Sequence, residues 1–285
     1  MSELPCEQDA RLRAQIMEFA DTLKAEAHTL GDHGLSEREF YESGVFHGAI
    51  ERIRGQAAAT MRQKREFVRL ALNRLQDEGT IRDWSSSGGA NRHDYSVTMS
   101  DGWLVAVELK GCLDGNNTNI FERPPQAQEF VIWSICTNLG ADPRHNLWSG
   151  VHTRLSAEIV EREQLVDGLV VWDWVCGTAA RRCPKVASDR SRLVTLGPYQ
   201  VPPPCLYLFP RTVPSVRSNP QPPPHQFHEV RFLAALHQCY GGKSPEINEV
   251  SISVSNKGSE VVRRTTISRG GAVQRESDDT PIRRR

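Results

Sequence analysis

Several features that would point directly to a function class are missing from this sequence. No apolar run approaches the roughly 20 residues that cross a bilayer. The first residues show no basic start followed by an apolar stretch, so no secretory signal is expected. The expectation that follows is a cytoplasmic protein without a membrane partner.

Patterns typical of zinc and cofactor chemistry are also missing. The seven cysteines contain no C-x-x-C pair, which argues against a disulfide framework or a zinc ribbon. Cys176, Cys183 and Cys205 leave open a metal site, but their spacing is unfamiliar. The nine histidines form no H-x-x-x-H pair, and there is no glycine-rich phosphate loop or G-x-S-x-G turn. Zincins, P-loop enzymes and α/β-hydrolases are therefore excluded.

Neither sign of charge is in excess over the whole chain. With 35 basic and 35 acidic residues, total charge does not predict a nucleic-acid partner. Basic residues nevertheless dominate residues 51–75 and the last 25 residues. A local excess of this kind is typical of phosphate contacts, and equally typical of a solvated helix face or a disordered tail.

The order of predicted elements indicates an α/β (α+β) protein. Apolar periodicity predicts a helical N-terminal region over 1–60 and a further helix from Met61. Three strands of an antiparallel meander follow, and a proline pair then predicts the start of a helix over 126–138. A buried strand within 165–175 completes the order α-β-β-β-α-β, around a central mixed sheet.

Composition divides the remainder of the chain. The core that contains the sheet is expected over 61–215. Proline is dense from 198 to 224, so this segment must be irregular. A C-terminal extension is expected over 216–256, and the polar, arginine-rich remainder over 257–285 predicts a disordered basic tail.

One predicted hairpin carries charged residues on an otherwise apolar strand. In its second strand, residues 104–110, alternation places Glu108 and Lys110 on the same face as Ala106 and opposite the aliphatic side chains. Neither charged group tolerates burial without a partner or an ion. The pair is therefore a candidate site.

The turn of this hairpin sets a geometric condition for the site. A three-residue loop over 100–102, with its glycine in the left-handed conformation, pairs Met99 with Trp103. Counting outward then sets Asp94 opposite Glu108, with Cβ atoms roughly 4.5–5.5 Å apart. A two-residue turn would shift the register by one and send Asp94 to the other face.

These residues resemble a known family signature. Asp94, thirteen intervening residues and Glu108-Leu109-Lys110 are similar to the PD-(D/E)XK motif of restriction endonucleases and related nucleases. The resemblance covers about residues 60 to 175 and implies a restriction-endonuclease-like core. It implies that Asp94 and Glu108 bind Mg²⁺, for which Mn²⁺ can substitute, with the Leu109 carbonyl as an additional ligand and Lys110 as the catalytic lysine.

Other positions are weaker candidates. Position 93 is His where the family pattern often has Pro. Gln126-Ala-Gln-Glu-Phe130 is similar to a Q-x-x-x-aromatic motif that follows E-x-K in some exonuclease branches, so Gln126 or Gln128 is a candidate neighbour of the site. The candidate DNA contacts are Asn91 and Arg92 in the 85–92 loop and Arg62, Lys64 and Arg65 on the basic helix.

The resemblance implies a Mg²⁺-dependent DNA endonuclease. A type II restriction enzyme would act on double-stranded DNA as a homodimer, alongside a cognate methyltransferase. One alternative within the family is a repair enzyme or exonuclease, and another is an inactive nuclease fold used as a binding scaffold. A winged-helix DNA-binding regulator is the alternative from another class, and a chance D…E-x-K triplet on a solvated hairpin is the simplest explanation.

Overall fold

The computed structural model describes Ser36, Arg38 and residues 61–87, 93–110, 123–136, 150–173, 190–197 and 199–282. Apart from Ser36 and Arg38, the helical region predicted over 1–60 lies outside the described residues. In the described part of the chain, no helix is both long enough and apolar enough to cross a membrane.

Helices are few and strands dominate the described residues. The elements are α1 (Met61–Asp77), β1 (Ile81–Ser86), β2 (Tyr95–Met99), β3 (Leu104–Lys110), β4 (Glu129–Cys136), a π-helical turn (Gly150–Leu155) that leads into α2 (Ser156–Glu161), β5 (Gly168–Asp173), β6 (Val194–Leu196), β7 (Tyr199–Val201), β8 (Cys205–Leu208), α3 (Arg231–Cys239), β9 (Asn248–Lys257), β10 (Glu260–Arg269), β11 (Ala272–Glu276) and β12 (Thr280–Pro281).

Within the described ranges, ten strands form one large mixed sheet. β1 to β5 lie side by side in chain order, followed by β8, β9, β10 and β11, while β12 pairs with β10. β2 is antiparallel to both of its neighbours, whereas β3, β4 and β5 are parallel. β6 and β7 form a separate hairpin. The predicted mixed α/β class with a central mixed sheet is confirmed.

Both faces of the sheet are covered near its centre. The α1 face carries the side chains of Val105, Val107 and Leu109, which belong to the same buried cluster as apolar residues of α1 and α3. The α2 face carries Ala106 and Ile132, which share a second cluster with the π-helical turn and α2. This double burial explains why the central strands read as nearly continuous apolar runs.

The helix predicted over 126–138 is a strand. Residues Glu129–Cys136 form β4, which lies between β3 and β5 and is parallel to both. The proline pair suggested a helix start, but Phe130, Val131, Ile132 and Trp133 are all fully buried in the sheet. Strand residues buried on both faces lose the alternation that would have distinguished them from a helix.

The segment predicted as a disordered basic tail over 257–285 contains strands up to Pro281. Residues 248–281 form β9 to β12, which extend the same sheet rather than a separate region. Serines alternate with Val250, Ile252 and Val254 along β9, and these three apolar side chains are buried. The segment is rich in charge, but its two-residue period is that of a strand with one buried face.

Candidate active site

The hairpin of β2 and β3 has the three-residue loop that the site requires. The Met99 amide donates to the Trp103 carbonyl at 2.9 Å, and the Gly102 amide donates to the Met99 carbonyl at 2.9 Å. Gly102 adopts a left-handed conformation with φ of 87°. The ladder pairs Tyr95 with Val107 at its other end. Asp94 is the next residue outward, where regular pairing has stopped, so the ladder confirms the three-residue loop but does not itself set Asp94 directly opposite Glu108.

Three hydrogen bonds hold Asp94 in place, two of them to β3 and one to Ser87, which follows β1. Its amide donates to the Val107 carbonyl at 3.0 Å, and its carbonyl accepts the Ser87 amide at 2.8 Å. Its carboxylate Oδ2 accepts the Leu109 amide at 2.8 Å. The Asp94 side chain is half-buried. Its carboxylate is therefore fixed against the strand segment that carries Glu108 and Lys110.

Glu108 and Lys110 form an ion pair on the α2 face. The Lys110 ammonium contacts Glu108 Oε1, and the Glu108 side chain is only 2% exposed against 17% for Lys110. Residue Lys110 is in register with Ser134 of β4, which is also buried. The ammonium offsets part of the cost of burying the carboxylate, and its greater exposure leaves it at the edge of the site.

The backbone of Leu109 points to the same side as Asp94. The N–H and C=O of one strand residue face the same neighbouring strand, and the Leu109 amide already reaches Asp94. Regular pairing of β2 and β3 ends at Tyr95, before this position. The Leu109 carbonyl is therefore directed towards the Asp94 side of β3.

The donor set is suited to a hard cation. Two carboxylates and one carbonyl are the oxygen ligands that Mg²⁺ prefers, with water and phosphate completing its coordination. Among the described residues, no group of three or more His, Cys, Asp or Glu side chains is arranged to hold a metal ion. Any metal bound here would depend on Asp94, Glu108 and backbone oxygen.

His93 lies immediately beside the site and is nearly buried, with 9% of its surface exposed. Its Nε2 is 2.7 Å from Ser96 Oγ. Burial lowers the pKa of His93, although the nearby Asp94 carboxylate acts in the opposite direction. Sequence reasoning treated His93 only as a departure from the family pattern and missed Ser96, because an H-x-x-S spacing carries no established meaning.

The glutamines proposed as neighbours of the site lie elsewhere. The Gln128 side chain accepts the Leu104 amide at 2.7 Å, at the beginning of β3. Glu108 lies four residues further along this strand, which corresponds to about 13 Å at 3.3 Å per residue. Gln126 is exposed in the turn before β4. The structure brings neither glutamine to Glu108 and Lys110.

The candidate DNA contacts on α1 are only partly available to a ligand. Arg65 is exposed, whereas Lys64 is buried, with 7% of its surface exposed. Two other arginines of this helix are paired with glutamates, because Arg69 contacts Glu66 and Arg74 contacts Glu78. The candidates Asn91 and Arg92, together with the side chain of Arg62, lie outside the described residues.

Two further buried carboxylates lie at the opposite end of the central strands. Glu129 accepts the amides of Phe232 and Leu233 at 2.9 and 3.1 Å, in the first turn of α3. Burial raises the pKa of Glu129 to about 7. Asp167 accepts the Phe130 amide at 2.6 Å and lies 2.9 Å from His225 Nε2. Both carboxylates connect structural elements and do not belong to the candidate site.

Only Cys205 of the three cysteines that left open a metal site lies within the described residues. Cys205 is a free thiol in the described part of the chain, as is Cys239. Cys176 and Cys183 lie outside the described residues.

No protein-family model, curated protein or solved structure matches the chain. The functional assignment therefore depends on the geometry of the hairpin itself.

Proposed function

We propose that the chain is a Mg²⁺-dependent nuclease with its active site at Asp94, Glu108 and Lys110. The observation that carries the proposal is the hydrogen bond from the Leu109 amide to the Asp94 carboxylate, because it holds Asp94 against the segment of β3 that contains Glu108 and Lys110. A chance triplet on a solvated hairpin does not explain why Glu108 is buried and paired with Lys110. Buried charges of this kind are more typical of functional sites than of solvated strands.

The arrangement of elements supports a restriction-endonuclease-like core. Helix α1 precedes the meander of β1, β2 and β3, and the sheet continues into the parallel strands β4 and β5. From α1 to β5 the described order is α-β-β-β-β-α-β, which contains one strand more than the expected α-β-β-β-α-β. A winged-helix protein is disfavoured, because β3 pairs with β2 on one side and with β4 on the other, whereas a wing strand would be peripheral.

Each residue of the site has a defined task in the proposed reaction. Bound Mg²⁺ would polarise the phosphate and promote ionisation of the attacking water. Asp94, held by the Leu109 amide, presents its carboxylate in a fixed orientation, and Glu108 provides the second carboxylate. Lys110 places a positive charge where it can orient water and neutralise charge that develops on the phosphate.

The proposed substrate is double-stranded DNA, and the motif's resemblance to PD-(D/E)XK enzymes supports this choice. Cleavage of both strands by a type II restriction enzyme would require two active sites, so we propose a homodimer that acts alongside a cognate methyltransferase. A repair or exonuclease activity at the same three residues is the second candidate. Discrete fragments from circular DNA would separate an endonuclease from an exonuclease.

The experiment compares the wild type with Asp94→Asn and Lys110→Met on unmodified phage DNA with Mg²⁺, and uses EDTA as the metal-free control. Asp101→Asn is the matched control, because Asp101 is an exposed carboxylate at the far end of the same hairpin. We expect cleavage by the wild type and Asp101→Asn only. DNA retardation without cleavage, unchanged in both site variants, would instead support a DNA-binding protein without catalysis.

A further inference from the structure

His93 is a buried histidine whose presence is not explained by stability. One ring nitrogen, Nε2, contacts Ser96 Oγ at 2.7 Å. The other, Nδ1, is buried and has no hydrogen-bond partner among the described residues. Leaving a buried polar atom unsatisfied costs roughly 1–3 kcal/mol. An apolar side chain of similar size would fill the same space without this cost.

The location of His93 indicates what the imidazole does. Regular pairing of β2 with β3 ends at Tyr95, and residues 93 and 94 form a bend before it. The contact between His93 and Ser96 closes a four-residue loop around Asp94. Ser96 Oγ is also 3.4 Å from the Oγ of Ser87, the residue that directly follows β1. The side-chain contacts thus link the bend to β2 and to the end of β1, at the point where backbone pairing stops.

We propose that His93 is a positioning residue: its hydrogen bond to Ser96 fixes the bend that holds the Asp94 carboxylate against the Leu109 amide. The role in catalysis rests on the proposed nuclease function, but the role in holding Asp94 does not. His93 does not touch the reacting atoms in this proposal. It acts through Asp94, as groups behind metal ligands generally do.

The test uses two substitutions that remove the same contact in different ways. His93→Leu removes the imidazole, and Ser96→Ala removes the hydroxyl but leaves the ring. His93→Gln is the conservative rescue, because its side-chain amide nitrogen takes the place of Nε2 and can still hydrogen-bond to Ser96. Thr98→Val is the matched control, because Thr98 lies two residues beyond Ser96 on the same strand and has no hydrogen bond to His93 in the described residues.

The first measurement is hydrogen exchange at the Leu109 amide, which reports on the Asp94 carboxylate. We expect roughly tenfold faster exchange in His93→Leu and in Ser96→Ala, and no further change in the double variant, because both remove one contact. The Met99 amide, which donates to Trp103 at the far end of the hairpin, should keep its protection. Unchanged Leu109 exchange in both variants, or equal acceleration at Met99, would overturn the proposal.

The second measurement is Mg²⁺-dependent cleavage together with unfolding in urea. We expect His93→Leu to unfold at the same or a higher urea concentration than the wild type but to cleave roughly 10- to 100-fold more slowly, and His93→Gln to recover part of the rate. If His93→Leu cleaves DNA at the wild-type rate, His93 has no role in catalysis, but its role in holding Asp94 is not refuted by that result. If the wild type cleaves no DNA, the nuclease proposal fails, and Leu109 exchange still decides whether His93 holds Asp94.

Discussion

Glu108 and Glu129 are buried glutamates on adjacent central strands, and their partners distinguish their roles. Glu108 faces the ammonium of Lys110, whereas Glu129 accepts backbone amides from the first turn of α3. Negative charge at a helix N-terminus is a common structural interaction. A carboxylate paired with a lysine beside a second carboxylate is a different arrangement, and it is the one suited to phosphate chemistry.

Glu129 should make the stability of the protein depend on pH. Burial raises its pKa from 4.5 to about 7 in the folded protein. The folded state therefore retains a proton that the unfolded chain releases, so its contribution to stability is full below pH 4.5 and is lost as the pH rises through about 7.

We therefore expect the free energy of unfolding of the wild type to fall, relative to Glu129→Gln, between pH 5 and pH 8. The expected change is on the order of 3 kcal/mol. Urea denaturation of both proteins at several pH values measures it. Parallel profiles for the two proteins would contradict the assignment.

The ion pair of Glu108 and Lys110 should show strong coupling. Lys110→Met removes the ammonium from a carboxylate that is 2% exposed, so we expect a loss of roughly 1–3 kcal/mol in the free energy of unfolding. Glu108→Gln/Lys110→Met should recover most of this loss, because no charge then remains in the pair. Lys257→Met serves as an exposed control. If the changes in the free energy of unfolding are additive in a double-mutant cycle, the two side chains do not interact.

At the scale of elements, the β2–β3 hairpin could be predicted from the sequence because its information is local. Alternation fixes which side chains share a face, and the glycine at 102 indicates the loop length. The prediction of a helix over 126–138 was wrong because the strand conformation of β4 depends on non-local contacts. Its burial depends on β3 and β5, which lie far apart from it in the chain.

The loop itself can be tested at Gly102. Its φ of 87° is in the left-handed region, and a Cβ added there would meet nothing within 4 Å. The cost of a substitution is therefore conformational rather than steric. Gly102→Val should lower the free energy of unfolding by roughly 1–2 kcal/mol, and Gly102→Asn by less, because asparagine tolerates this conformation. Equal losses in the two variants, measured by urea denaturation, would contradict this account.

At the scale of the whole molecule, the C-terminal strands complete the core. β9 and β10 contribute Val250, Ile252 and Ile267 to the cluster on the α2 face, and Thr265 donates to Ser156 of α2 at 2.9 Å. Their arginine-rich composition concealed this role, since composition averages over the two faces of a strand. The position of β9 beside β8 could not be read from local pattern, because much of the proline-rich segment and α3 intervene in the sequence.

Truncation should reveal this dependence. A chain ending at Ile247 loses β9 to β12 and exposes the apolar cluster on the α2 face, so we expect it to aggregate or to lose cooperative unfolding. A chain ending at Ile282 retains all four strands and is the control. Cooperative thermal unfolding of the shorter chain, with an unchanged midpoint, would show that the C-terminal strands are dispensable.

The most direct test of the proposed active site is the Mg²⁺-dependent cleavage rate of supercoiled DNA, compared between the wild type, Glu108→Gln and Asp101→Asn. Both substitutions replace a carboxylate by an amide of the same shape, but only Glu108 lies at the site. Cleavage by the wild type and Asp101→Asn, with loss of at least a hundredfold in Glu108→Gln, is the predicted result. Equal cleavage by all three proteins, or none by the wild type, would contradict the proposed function.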